Sequence, residues 1–162
     1  MRHPHVFGNV ENNLNADEVL AMWNENKVGE KQIKSKLSYK MNQTLDFSSS
    51  IAMAQKVQEL AATVGFDFPS AKDAFYKIPE ETKEVNEVLD NKEKLEEEIG
   101  DLLFAVTNVA RLSGLNTEEC LKKSVKKFVT RFKSVEEKAE ANGGFEGKTL
   151  EELDKYWDEA KK

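Results

Sequence analysis

The sequence predicts an all-α protein folded as an antiparallel helical bundle, and two observations lead there. Only 8 Gly and 3 Pro are spread over 162 residues, so few positions interrupt a helix. Apolar residues recur at three- and four-residue intervals with few β-type alternations, and the breaks between periodic stretches are short, which favours antiparallel neighbours.

Taken in order, a first helix is expected from about Ala16 to Leu37, N-capped by Asn15, with Val19, Leu20, Met22, Trp23 and Val28 as its apolar residues. The polar, Ser-rich "SYKMNQTLDFSSS" (38–50) reads as a loop. A second helix runs from about Ser50 to Val64 and stops at Gly65. After the turn "FDFPS", a third starts at Ser70 and fades near Asp90 and Asn91. The fourth, from about Lys92 to Ser113, carries Leu95, Ile99, Leu102, Leu103, Val106, Val109 and Ala110 at core spacing and predicts a broad buried face. The fifth extends from Thr117 to about Ala141, where "NGGFEG" breaks it. "TLEE" at 149–152 is a capping-box pattern opening a last short helix with Trp157. Residues 1–45 read as an N-terminal connector segment with one helix, and 46–162 as the compact domain.

Composition excludes several classes of function. A formal charge of −6 argues against nucleic-acid or anionic-membrane partners. One cysteine, Cys120, forms no intrachain disulfide and suits a reducing compartment. No apolar run is long enough to span a bilayer, and the first ten residues lack the apolar segment of a signal peptide. The expectation is a soluble cytoplasmic protein.

The most informative stretch is "KIPEETKEVNEVLDNKEKLEEEIGDLLF" (77–104). Glu81 and Glu84 share one helical face, Glu98 and Asp101 another, and a hairpin brings the two faces together. Four clustered carboxylates repel one another and hold together only if cations neutralise them or some take up protons. Oxygen-only ligands indicate a hard ion, Mg²⁺ or Mn²⁺. A di-iron bundle needs Glu-x-x-His pairs, and the two histidines, His3 and His5, lie far upstream. By spacing alone a solvated charged face explains these acids as well as a metal site does. Position favours the site: Glu98 and Asp101 border the apolar stripe, and Gly100 between them leaves space for a neighbour. In "KKFVTRF" (126–132), Lys127 and Arg131 lie one turn apart beside Phe128 and Phe132; an amphipathic surface helix has the same pattern, but opposite a metal-loaded acidic site such a pair suits polyphosphate. Trp157 and Lys161 repeat the aromatic-plus-cation spacing, which packing alone also explains.

Together these elements resemble the MazG family of nucleoside triphosphate pyrophosphohydrolases, within the all-α NTP pyrophosphatase superfamily. "KVQELAATVGFDFP", "EETKE" followed by "EIGD", "EEEIGDLLFAVTNVARLSGL", "KKFVTRF" and "TLEELDKYWDEAKK" are similar to the family's elements in the family's order, and "RHPHVFGNVE" resembles the segment closing the first copy in two-copy members. The resemblance implies a homodimer that hydrolyses nucleoside triphosphates to nucleoside monophosphate and pyrophosphate with Mg²⁺, a nucleotide-pool house-cleaning activity. It implies that Glu81, Glu84, Glu98 and Asp101 ligate the metal, that Lys77, Lys94, Lys127 and Arg131 hold phosphates, and that Trp157 and Lys161 lie near the nucleotide. Glu80 is the candidate for taking the proton of the attacking water. Three positions depart from the family pattern: Val125 where Asn is common, Leu60 where a basic residue is usual, and Pro79 inside the acidic helix. The alternatives are a narrower dUTP/dCTP or phosphoribosyl-ATP pyrophosphatase, and a non-catalytic helical dimer that binds nucleotide or a protein partner.

Overall fold

A computed structural model describes residues 16–161, with side chains described for 24–33 and 36–161. All regular secondary structure among the described residues is helical, with eight helices and no strand. None of these helices is long and apolar enough to cross a membrane. The chain divides into two compact units, 1–46 and 47–162.

The first unit contains α1 (Ala16–Ser35) and α2 (Leu37–Thr44), which pack on each other. Asn15 and the side chains of Val19, Leu20, Met22 and Trp23 lie outside the described residues; Val28 is exposed. The segment expected as a loop is largely α2, so this unit holds two helices where one was expected. The polar composition hid a short stripe: half-buried Leu37 and Met41 and buried Thr44 fall at i, i+4 and i+7. The Thr44 hydroxyl donates to the Met41 carbonyl at 2.7 Å, so its burial leaves no polar group unsatisfied.

The second unit is built around α6 (Lys92–Leu112). Against it pack α3 (Ser50–Ala62), α4 (Ala71–Phe75) and α5 (Lys77–Glu87), with a smaller contact from α7 (Thr117–Ala141). The last helix, α8 (Leu150–Glu159), packs only on α7. Side-chain caps start five of these helices: Ser49, Ser70, Asn91, Asn116 and Thr149 each accept a backbone N–H of the first turn. At Thr149 the capping box is complete, with Glu152 accepting the Thr149 N–H at 2.8 Å. At Gly65 (φ 80°) and Gly114 (φ 71°) the helix ends are satisfied by paired reverse bonds, such as Leu115 N–H to Ala110 O at 2.9 Å. The left-handed backbone there is open to Gly at no steric cost.

The single helix expected from Ser70 to Asp90 is two, broken at Tyr76. Pro79 is the cause: it cannot donate to the Phe75 carbonyl, and its ring opposes that carbonyl in a continuous helix. As the third residue of α5 it sits in a first turn, where the missing N–H costs little.

Among the described residues few apolar side chains are fully buried: Ala74, Val135 and Ala139. Polar ties across helices supplement them. Gln58 of α3 donates to the Phe104 carbonyl of α6 at 2.9 Å, and Gln55 accepts the Thr117 N–H at the start of α7 at 3.1 Å. The broad buried face expected on α6 is only partly buried. Leu95, Leu102, Val109 and Ala110 are half-buried, but Ile99, Leu103 (57% exposed) and Val106 are open to solvent. On α7, Leu121, Val125, Phe128, Val129 and Phe132 form a second exposed stripe at helical spacing. The expected burial of the α6 face is thus met only in part, and among the described residues nothing covers the remainder or the α7 stripe. Nor does anything approach Gly100, where an added Cβ meets no atom within 4 Å.

Candidate active site

The connection between α5 and α6 is four residues long, which makes the pair an antiparallel hairpin. Glu81 lies six residues before the end of α5, and Glu98 six after the start of α6. Equal arms bring them to the same level. One carboxylate oxygen from each of Glu81, Glu98 and Asp101 lies within 4.8 Å of the others.

Burial grades this cluster. Glu81 is buried (6% exposed), Glu98 half-buried and Asp101 exposed. Glu84 stands one turn beyond Glu81. Its carboxyl is raised above the usual 4.5, first by lost hydration and then by the charges of Glu81 and Glu98. Lys77, one turn before Glu81, places its Nζ 2.9 Å from Glu80 and 3.1 Å from Glu81. Those two carboxylates, Glu80 foremost, hold the ammonium well above its usual 10.5. Glu80 itself is exposed at the rim. Lys94 precedes Glu98 by one turn, on the same face of α6.

The arrangement suits a divalent cation. Three oxygen donors converge, and among the described residues the deepest of them, Glu81, pairs with the single ammonium of Lys77; all-oxygen donors are the set a hard ion takes.

Beside the carboxylates opens a cavity of about 210 Å³ lined by Phe68, Lys77, Glu81, Asp101, Phe104 and Asn108, with Ala74 and Ala105 between them. The sequence reading missed Phe68, Phe104 and Asn108. Asp101, Ala105 and Asn108 repeat at i, i+4 and i+7, so extending the acidic register of α6 would have found Asn108.

The remaining predicted residues sit on another helix pair. Lys127 is exposed and Arg131 half-buried on α7; Trp157 and Lys161 are on or just past α8. Trp157 packs against Phe128 with ring centroids 4.9 Å apart, and Phe128 and Phe132 stack at 6.1 Å. Lys161 pairs with Asp158 at 2.8 Å. Among the described residues neither α7 nor α8 packs on α5, and α7 makes a small contact with α6. Val125 lies in the exposed apolar stripe of α7 and Leu60 is half-buried on α3.

Comparison with known proteins agrees with this geometry. Residues 70–136, which span α4 to most of α7, match the MazG nucleotide pyrophosphohydrolase domain. Over 161 residues the chain is 39% identical to the nucleoside triphosphate pyrophosphohydrolase/pyrophosphatase MazG of Thermotoga maritima, covering 99% of this chain and 60% of that protein. It is 37% identical over 166 residues to the nucleoside triphosphate pyrophosphohydrolase of Escherichia coli K12, covering 99% and 62%. It is also 38% identical over 162 residues to the uncharacterized protein YabN of Bacillus subtilis, covering 99% and 33%. The chain thus carries a MazG nucleotide pyrophosphohydrolase domain, and it spans about three-fifths of the length of the two named pyrophosphohydrolases.

Proposed function

We propose that this chain hydrolyses nucleoside triphosphates to nucleoside monophosphate and pyrophosphate, with Mg²⁺, as a cytoplasmic homodimer clearing the nucleotide pool. The observation that carries this reading is the convergence of Glu81, Glu98 and Asp101 within 4.8 Å, inside a domain whose relatives bear that activity in their names.

In this reading Glu81, Glu84, Glu98 and Asp101 hold the metal. When bound, Mg²⁺ offsets the charge of the phosphate oxygens and orients the attacking water. Lys77 and Lys94 bind phosphate from the acidic side, with Lys127 and Arg131 adding positive charge, and Trp157 and Lys161 lie near the nucleotide. Water adds to the α-phosphorus as the bond from that phosphorus to the bridging oxygen breaks, and the electron pair leaves on pyrophosphate. Glu80 takes the proton from the water. Lys77, bridging Glu80 and Glu81, holds the base beside the ligand set.

Dimerisation is supported by the open apolar stripes of α6 and α7, since stripes of this extent on a soluble helix call for a cover. A second copy also supplies a further α7–α8 pair to face the carboxylates, since the chain's own pair does not pack on α5.

The test is direct. Each NTP is incubated with the protein and Mg²⁺, and products are separated; nucleoside monophosphate and pyrophosphate are expected in equal amounts. Absence of both under every condition overturns the proposal.

A further inference from the structure

Asn108 sits at the end of the site cavity farthest along α6 from the carboxylates, seven residues and so ~10 Å beyond Asp101. Its amide is not free to choose its orientation. Arg111 donates to Asn108 Oδ1 twice, from Nε at 3.1 Å and from a terminal nitrogen at 2.7 Å, and the same terminal nitrogen pairs with Asp67. A guanidinium only donates, so the atom it engages must be the carbonyl oxygen. Asp67 is fastened in turn by the Phe68 N–H at 2.8 Å. This three-residue chain commits the acceptor half of the amide and leaves Nδ2 as the polar group Asn108 offers to the cavity. Phe68 and Phe104 line the same space with aromatic surface. Flat apolar walls ending in one oriented donor suit a nucleobase whose distal edge carries an acceptor.

We propose that Asn108 reads the base of the substrate: its Nδ2 donates to the carbonyl oxygen at the 4- or 6-position of an oxo-bearing base, and Arg111, held by Asp67, is the positioning residue that prevents the amide from turning over. The inference rests on the triphosphate reading of the site and deepens it. An exocyclic amino group at that position meets Nδ2 donor to donor and leaves both unpaired, so amino-bearing bases bind less well. The expected discrimination is about tenfold, that of one well-placed hydrogen bond.

The experiment compares kcat/KM for UTP against CTP and ITP against ATP at saturating Mg²⁺, alongside calorimetric binding of the non-hydrolysable analogues. The native chain is expected to favour UTP and ITP through KM. In Asn108→Leu the ratio falls towards one. In the isosteric Asn108→Asp, which keeps an acceptor for Arg111 but turns the free atom from donor to acceptor, the preference reverses towards CTP and ATP. Arg111→Met relaxes the ratio by freeing the amide, an effect that a purely structural role for Arg111 does not produce. Circular dichroism confirms folding, and Asn108→Asp decides if Asn108→Leu fails to fold. Equal handling of oxo and amino bases by the native chain, or an unchanged ratio in the Asn108 variants, overturns this inference and leaves the pyrophosphohydrolase reading standing. No turnover of any triphosphate overturns both.

Discussion

Lys77 Nζ lies 3.1 Å from Glu81, the one deeply buried carboxylate of the acidic cluster. The two are one helical turn apart on α5, so a local i,i+4 contact supplies the counter-charge that makes the burial tolerable. The Lys77 side chain is 40% exposed, so the pair is screened and contributes less than a fully enclosed one.

Replacing Lys77 with Met therefore leaves Glu81 with like charges only. The expected cost is about 1 kcal/mol of stability in metal-free buffer, measured by urea denaturation. Saturating Mg²⁺ should restore most of it, because a cation then sits against the same carboxylates. A loss that Mg²⁺ does not repair would argue against the cluster as a metal site.

Glu98→Ala removes one of the three converging oxygen donors. Metal-dependent turnover is expected to fall about 100-fold or more, the consequence of losing a few kcal/mol of charge stabilisation in the transition state. Helical content should hold, since the deletion also relieves repulsion. Parallel assays of pyrophosphate release and far-ultraviolet circular dichroism separate these effects.

Leu103→Arg places a charge in the exposed apolar stripe of α6. If that stripe is a dimer seam, the variant sediments with half the native mass, whereas the native chain sediments as a dimer. Identical masses for both proteins would place the seam elsewhere.

Acid sensitivity is expected from the pair between Asp67 and Arg111. The Arg111 hydrogen bond holds the Asp67 carboxyl below its usual 3.8, partly opposed by lost hydration. A depressed carboxylate stabilises the fold fully above its unfolded value near pH 4, and that contribution is lost as pH falls through the lower folded value. Asp67→Asn should be less stable than the native chain at pH 7, by roughly 1–2 kcal/mol, and the gap should narrow below pH 4. A gap independent of pH would mean that packing, not ionisation, carries the effect.

Much of the helical layout was legible because helix ends are local chemistry. Ser70, Asn91 and Asn116 each bond a backbone N–H three residues on, Thr149 and Glu152 close a box within four residues, and Gly65 and Gly114 adopt the left-handed turns that stop helices. The α2 helix was hidden by polar composition, and the break at Tyr76 followed from Pro79 but depended on which side of it the helix resumed. The acidic spacing was equally readable, since α5 and α6 are consecutive and their short link leaves one way for the pair to fold.

By itself the sequence determined most of the helices of the second unit, most of their ends, and the spacing of Lys77, Glu81, Glu84, Glu98 and Asp101, because each depends on residues three to seven apart or on one short hairpin. Only the tertiary structure decided that Glu81 is buried while Asp101 is open, that Phe68 and Asn108 extend the site into a cavity, and that the α6 and α7 stripes remain uncovered among the described residues. These depend on which distant helices meet. Periodicity tells a helix which face to bury, but not whether its own chain has anything to bury it against.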